Sequence, residues 1–340
     1  MRAAVIGPDA AFRVETLDDP VPGPGELVLR VTGCGICGSD LKARPAMPSG
    51  TVMGHELCGE VVAVGTGTAA EWREGVRAAV LPVFSCGRCA WCRAGDVAHC
   101  AEASLMGLGG CAGGFAELVR ARAELSFRLP DGLPERYGPL VEPFAVGLHT
   151  ARIAGIGAGD DVLVIGGGPV GLTTAWWARD LGARTVTVSD PVEPRRTAAP
   201  ALGATATIDP TVDELGGPYD VVIECVGKPG LLDIAAAACR TQGRVVVAGV
   251  CAEPDPFLPI VALLKELTVR FSVYYRPDEF RAVVDALATG RLDPAPLVTR
   301  TVGLADLDDA FSSLATSPTD LKVLVDPTLH TPTPRPQEDP

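Results

Sequence analysis

Val162-Leu163-Val164-Ile165 runs directly into Gly166-Gly167-Gly168-Pro169-Val170-Gly171, and a helix-compatible stretch follows to Leu181. An unbroken apolar run of this length reads as a strand buried on both faces. Gly166, Gly168 and Gly171 then fit G-x-G-x-x-G, and each glycine answers a separate need. The first makes the tight turn, the second lets backbone approach a pyrophosphate, and the third lets the helix lie close to the strand. The helix N-terminus, entered through Pro169 and Val170, then faces the phosphates. A glycine trio alone is a weak signal, but this one sits between a strand and a helix, and Asp190 closes the next apolar run roughly 20 residues on. An acid there accepts hydrogen bonds from both ribose hydroxyls and repels a 2′-phosphate, which favours NAD over NADP. Arg195 and Arg196, close by, are the opposing signal, because a cation can receive that phosphate.

Outward from this stretch the rhythm persists. The runs TVTVSD (185–190), DVVIECVG (220–227), RVVVAGV (244–250) and LTVRFSVYY (267–275) alternate with helical stretches. That alternation predicts a parallel sheet with helices on both faces. One local conflict stands inside it: Pro200 falls within the helix expected after the second strand, and proline breaks interior helical hydrogen bonding, so that helix is expected to be short or to start late. The first 150 residues are different in texture. Short apolar runs at Glu26–Thr32, Leu57–Val64 and Val76–Val83 are punctuated by proline and glycine, the pattern of an irregular β-rich domain. From Asp293 the pattern turns irregular again, through Pro296–Phe311 and Leu321–Pro327, and reads as a return to the first domain. Residues 329–340 are polar and proline-rich and are expected to be disordered. The expected division is therefore 1–152 with 289–328, 153–288, and a tail at 329–340.

The chain has 340 residues, 47% of them hydrophobic and 21% charged, enough for about two globular domains with full cores. A formal net charge of -13 disfavours nucleic acid and anionic membrane surfaces as partners. The start, MRAAVIG, lacks an export signal, and no apolar run is long enough to span a membrane, so a cytoplasmic location is expected. Four lysines among 29 basic residues, with abundant Ala, Gly and Pro, reflect codon bias rather than function.

Cys86, Cys89, Cys92 and Cys100 read C-x2-C-x2-C-x7-C. In a reducing compartment such clusters hold metal more often than disulfides. Four thiolates close a tetrahedral zinc site that stabilises a loop and does no chemistry; an iron–sulfur cluster is the competing metal. A second set lies upstream, in Gly33-Cys34-Gly35-Ile36-Cys37-Gly38-Ser39-Asp40 and Gly54-His55-Glu56. A thiolate, an imidazole and a carboxylate suit a catalytic zinc that keeps one position open and acts as a Lewis acid on a substrate oxygen. Asp40 is the natural partner for the far side of the His55 ring. Taken singly each of these residues would read as structural; beside a dinucleotide site they change class.

G-x-G-I-C-G-S-D, G-H-E, the four-cysteine lobe, Val141-Glu142-Pro143-Phe144-Ala145-Val146-Gly147-Leu148-His149 and the glycine fingerprint occur in one order and spacing. In this the chain resembles the zinc-containing medium-chain dehydrogenase/reductase (alcohol dehydrogenase) family, in the style of its sorbitol, butanediol and threonine dehydrogenase branch, over nearly its whole length. The resemblance implies an α/β protein: a GroES-like β-rich catalytic domain built from both chain ends, a Rossmann doubly wound parallel sheet, and substrate and zinc in the cleft between them. It also implies a homodimer or homotetramer. Carried over by motif, Cys37 and His55 are catalytic zinc ligands, with Glu56 and Glu142 both candidates for the third. Ser39 takes the substrate proton. The backbone of Ala248, Gly249 and Val250 holds the carboxamide end of the nicotinamide. Tyr274 and Tyr275 face a pocket, an interface or the core. One departure stands out: where several branches carry a proton-relaying histidine, this chain has Lys42, which is a poor relay as a cation. Lys42 then contacts the cofactor, sits in solvent, or marks altered chemistry. His99, His149 and His330 read as structural.

The expected activity is hydride transfer between a secondary alcohol or polyol, or its ketone, and NAD(H). Two alternatives stand beside it. One is an NADPH-dependent reductase of a carbonyl, imine or activated double bond in specialised metabolism; the other is a cofactor-binding regulatory protein without catalysis.

Overall fold

The computed structural model describes residues 1–316 and 319–329; the expectation of a disordered tail falls, beyond Leu329, outside the described residues. The chain divides into two compact units, Met1–Glu142 with Phe280–Pro340, and Pro143–Glu279. These boundaries cut through helices Val141–Ile153 and Pro277–Ala288; the division expected from the sequence lies at 152/153 and 288/289.

The unit Pro143–Glu279 is a doubly wound sheet. Its six strands lie in the order Ala206–Ile208, Thr185–Ser189, Asp161–Ile165, Tyr219–Glu224, Cys239–Val247, Thr268–Phe271, and every pairing is parallel. Numbered along the chain this is 3-2-1-4-5-6, with its switch point between Asp161–Ile165 and Tyr219–Glu224, where ligands of open α/β sheets bind. The runs are apolar throughout because both faces are covered: Val162, Leu163 and Val164 are completely buried. The Pro200 conflict resolves as a short helix. Glu193–Ala198 is α-helical, the chain tightens to a 3₁₀ turn over Ala199–Leu202 with Pro200 in its first turn, and Gly203 at φ 92° ends it. The last apolar run is shorter than its composition predicts. Strand Thr268–Phe271 stops before Tyr274, which takes φ 61°, a conformation incompatible with a continuing strand.

The other unit is built on a seven-stranded sheet in the order Val298–Val302, Lys322–Val325, Glu26–Gly35, Glu56–Val64, Arg77–Val80, Ser126–Arg128, with Leu118–Arg122 also paired to Glu26–Gly35. The two C-terminal strands complete a sheet begun by the N-terminal ones, with Leu324 opposite Gly35 and Val325 opposite Cys34. Phe12, Phe115 and Phe311 meet edge to face in the core, Phe12 and Phe311 at 4.8 Å between ring centres. Phe311 comes from the C-terminal helix Leu307–Thr316, so both ends of the chain contribute to one hydrophobic centre.

Candidate metal centre, thiolate lobe and dinucleotide site

Cys37 lies two residues beyond the long strand Glu26–Gly35 and caps the six-residue helix Gly38–Ala43. The cap is reciprocal: the Cys37 backbone N–H donates to Asp40 Oδ2 at 3.0 Å, and Asp40 is wholly buried. The other carboxylate oxygen of Asp40 lies 3.1 Å from Nδ1 of His55. Both atoms are buried, and neither has any other hydrogen-bond partner. His55 turns its Nε2 toward Ser39, whose Oγ stands 3.5 Å away. Burial by itself would lower the His55 pKa; the Asp40 carboxylate and the Cys37 thiol outweigh it and hold the ring well above its ordinary value.

Glu56 opens strand Glu56–Val64 directly opposite Gly35, and a Cβ on Gly35 would collide with Glu56 Oε2. Glycine is required at 35 because the carboxylate occupies the space a side chain would take. Glu56 Oε1 accepts a 2.6 Å bond from Lys322 Nζ, and both side chains are 1% exposed. Burial alone would depress the lysine, but Glu56 and Cys37 keep its pKa above the usual value, so it is an ammonium. Glu56 Oε2, by contrast, is buried and has no hydrogen-bond partner. Ligand atoms of Cys37, His55 and Glu56 all lie within 4.8 Å of one another. A buried carboxylate oxygen without a partner is costly, and this one belongs to a residue grouped with a thiol and an imidazole. The donor set and the orphaned oxygen fit a zinc ion with one open position. Glu142, the other candidate ligand, is 7% exposed in the first turn of helix Val141–Ile153 and does not belong to this group among the described residues. Lys42 is exposed in the last turn of Gly38–Ala43.

The four cysteines of the lobe also converge, with sulfur atoms all within 4.8 Å of one another. Cys89 and Cys92 are 3.5 Å apart, Cys86 and Cys92 3.9 Å. Zinc–sulfur bonds of about 2.3 Å in a tetrahedron place sulfurs about 3.8 Å apart, so the spacing fits zinc without rearrangement. Backbone N–H groups feed the sulfurs, from Cys92 to Cys89 at 3.4 Å and from Glu102 to Cys100 at 3.3 Å. The backbone amides of Arg88 and Cys89 bring the Cys86 thiol down to about 7, so thiolate is available near neutral pH.

In the doubly wound unit, Gly166 takes φ 104°, and a Cβ on Gly171 would strike the carbonyl oxygen of Gly166. Both observations match the roles read from the motif. Gly168 caps the helix Pro169–Asp180, whose first-turn amides open at the end of strand Asp161–Ile165. Asp190 is 3% exposed. Its Oδ2 accepts from Gly167 N and its Oδ1 from Val192 N, each at 2.8 Å, which orients the carboxylate beside the glycine turn. Arg195 Nη1 lies 3.4 Å from Asp190 Oδ2, while Arg196 is turned to Asp209 at 3.0 Å. Ala248 and Gly249 donate to the Glu224 carbonyl at 2.8 and 2.9 Å, which leaves the loop to Val250 at the switch-point end of the sheet. Val250 is 54% exposed there, and Tyr275 is buried in the core.

Two residues escaped the sequence reading. Glu224 is 2% exposed, and its Oε1 accepts from Val226 N at 2.6 Å and Gly227 N at 2.8 Å, shaping the loop beneath Ala248–Val250. Its signal was an acid ending an apolar strand. Lys322 was the other, and its signal was a lone lysine inside Leu321-Lys322-Val323-Leu324-Val325 in a chain poor in lysine.

Known proteins place these features together. Residues 23–131 match the alcohol dehydrogenase GroES-like domain, and residues 169–289 match the zinc-binding dehydrogenase domain. The (R,R)-butanediol dehydrogenase of Bacillus subtilis is 32% identical over 96% of this chain and 100% of its own length. A zinc-binding dehydrogenase of Sinorhizobium meliloti, solved with NADP, superposes with TM-score 0.88 at 34% identity, covering 96% of this chain and 99% of that one. An alcohol dehydrogenase of Escherichia coli CFT073, solved with NADH, gives TM-score 0.89 at 28% identity over 96% and 99%. Neither the regulatory reading nor that of a carbonyl, imine or activated-double-bond reductase of specialised metabolism finds support among these relatives, while both NADP and NADH occur in them. With its GroES-like sheet, its Rossmann sheet and two clusters of candidate metal ligands, the chain belongs to the zinc-containing medium-chain dehydrogenase/reductase family and is a nicotinamide-linked, zinc-dependent alcohol oxidoreductase.

Proposed function

We propose that this enzyme interconverts a secondary alcohol, of the vicinal diol or polyol type, and its ketone, with NAD(H) as the hydride partner. The observation that carries the reading is the buried trio Cys37, His55 and Glu56 with an unpartnered Glu56 Oε2. Zinc held there supplies a Lewis acid that makes a hydroxyl proton easy to lose, and nicotinamide supplies the hydride acceptor. The protein does the rest. Ser39, with its Oγ 3.5 Å from His55 Nε2, would accept the hydrogen bond of the substrate hydroxyl and take its proton while passing its own hydroxyl proton on to solvent water. Asp40 keeps the His55 ring oriented so that Nε2 is the ligand atom. Glu56 rather than Glu142 is the third ligand, because it stands with the other two. Cys86, Cys89, Cys92 and Cys100 hold a structural zinc.

Asp190 supports NAD. Its carboxylate is buried and fixed at the place where the adenosine ribose reaches the second strand, and it would repel an added phosphate. Arg195 is held against that carboxylate, its charge directed to Asp190. Lys42 has no relay role in this reading: an exposed cation in the last turn of a helix meets the carbonyl end of the helix dipole. We further propose a homo-oligomer in the cytoplasm, where metal-binding thiols stay reduced.

The test is initial rates across 2,3-diols, hexitols, simple secondary alcohols and the matching ketones, with NAD and NADP side by side and metal content measured on the same sample. Turnover of a diol or polyol with NAD, in protein holding two zinc ions per chain, is expected. Turnover unchanged after loss of the Cys37-site zinc would refute the mechanism.

A further inference from the structure

Of the four lysines in the chain, Lys322 alone belongs to the buried core. An ammonium removed from water costs several kcal/mol unless paired and hydrogen-bonded, so its partners matter. They are the Ile36 carbonyl at 2.9 Å and Glu56 Oε1 at 2.6 Å. Ile36 immediately precedes Cys37, and Glu56 immediately follows His55. One cation on the C-terminal strand thus joins the backbone that aims the thiol to the carboxylate that follows the imidazole. It also uses up one carboxylate oxygen and leaves the other buried without a hydrogen-bond partner, in a carboxylate grouped with the thiol and the ring. The Lys322–Val325 strand reaches this position by antiparallel pairing, Leu324 on Gly35 and Val325 on Cys34, at the end of the strand that leads into Cys37.

We propose that Lys322 is a positioning residue for the metal centre, fixing Glu56 as a one-oxygen ligand and making metal retention and docking of the C-terminal strand depend on each other. The inference rests on the reading that Cys37, His55 and Glu56 hold zinc. Without the ammonium, Glu56 is free to rotate or to offer both oxygens, and the strand keeps its backbone bond from Ile36 N to Val323 O but loses its side-chain tether to the site. Coupling of this kind is reciprocal: what holds the strand holds the metal, and the metal holds the strand.

The experiment uses full-length zinc-loaded protein and a graded competition with a chelator, the lobe zinc serving as internal reference. Lys322→Met is expected to weaken zinc at the Cys37 site by about 10- to 100-fold, the range for outer partners of metal ligands, with lobe zinc retained and with Lys322→Arg recovering part of the loss. Cobalt substituted at the site reports the ligand set directly, and its visible absorption is expected to shift in Lys322→Met. A variant that merely loosened the fold would release metal from both sites together and leave the cobalt spectrum of the loaded fraction unchanged. Should Lys322→Met not fold, amide exchange decides: Val323, Leu324 and Val325 are expected to exchange faster in Cys37→Ser than in the parent, with Val162–Ile165 unchanged. Two zinc ions held with parental affinity in Lys322→Met, or equal exchange in Cys37→Ser and parent, overturns the proposal. A parent protein that binds zinc only in the lobe instead overturns the reading of the site beneath it.

Discussion

Asp40 shows how much a single side chain does here. It caps the turn that presents Cys37, and it faces the His55 ring from the side away from Ser39. Asp40→Asn keeps the cap acceptor but removes the charge. It is expected to lower zinc affinity at this site by about 10- to 100-fold, read by chelator competition, while lobe zinc stays. Lys42 gives the opposite expectation. Because it is exposed, Lys42→Ala should leave kcat/KM for alcohol oxidation within about twofold, the usual size of a surface change, and a drop of tenfold would restore a role in the proton path or at the cofactor. Asp190→Ala should cost NAD about 1.5–3 kcal/mol of binding, roughly 10- to 100-fold in Kd, from the lost charged hydrogen bonds. The NADP/NAD ratio of kcat/KM should rise, measured on one substrate with both cofactors.

At the scale of elements, the lobe between Phe84 and Ser104 has little apolar interior; Trp91 is 54% exposed, and the short helix Ala90–Arg93 buries none of its residues. With the proposed zinc in place, its shape would depend on the four thiolates and the ion they share. The Cys86 thiol is held at about 7, below its ordinary 9.0, by backbone N–H groups that favour the thiolate. A depressed folded value means that this contribution is complete above the ordinary thiol range and is lost as pH falls through about 7. Zinc retention by the lobe should accordingly decline as pH drops from 8 to about 6, followed with a colorimetric zinc indicator. Retention that is flat across that interval would contradict the assignment. The glycine turn is the second case. Gly171→Val forces a side chain into the Gly166 carbonyl, so the helix Pro169–Asp180 must move off the strand; nicotinamide binding, followed by fluorescence of the reduced cofactor, should be lost while zinc content is retained.

On the whole molecule, the six-stranded sheet ends in Thr268–Phe271, an edge strand with Phe271 70% exposed, and near it Leu263 and Leu264 are 67% and 73% exposed. Apolar side chains around an unpaired strand edge are a liability in a lone chain and an asset in a pair. This supports the proposed homo-oligomer, and Phe271→Asp is expected to reduce the mass found by light scattering toward that of one chain, 35.1 kDa, without loss of zinc. An unchanged mass would place the contact elsewhere. No helix among the described residues is long and apolar enough to cross a membrane.

What could be read from the chain alone was whatever is local in sequence. The strand–glycine–helix turn, the cysteine spacing of the lobe, and Gly54-His55-Glu56 each lie within a few residues, and short-range geometry makes their chemistry legible. Pro200 announced a disturbed helix for the same reason, since the missing N–H is a property of the residue itself. Which carboxylate stands with Cys37 and His55 was not legible, because Glu56 and Glu142 are equally good ligands until the sheet register sets Glu56 opposite Gly35. Nor was Lys322, whose partners Ile36 and Glu56 lie 286 and 266 residues away in the chain. A lysine in an apolar strand declares only that something must neutralise it; which group does so depends on strand pairing between the two ends of the chain, and that is decided by the packing of the whole sheet.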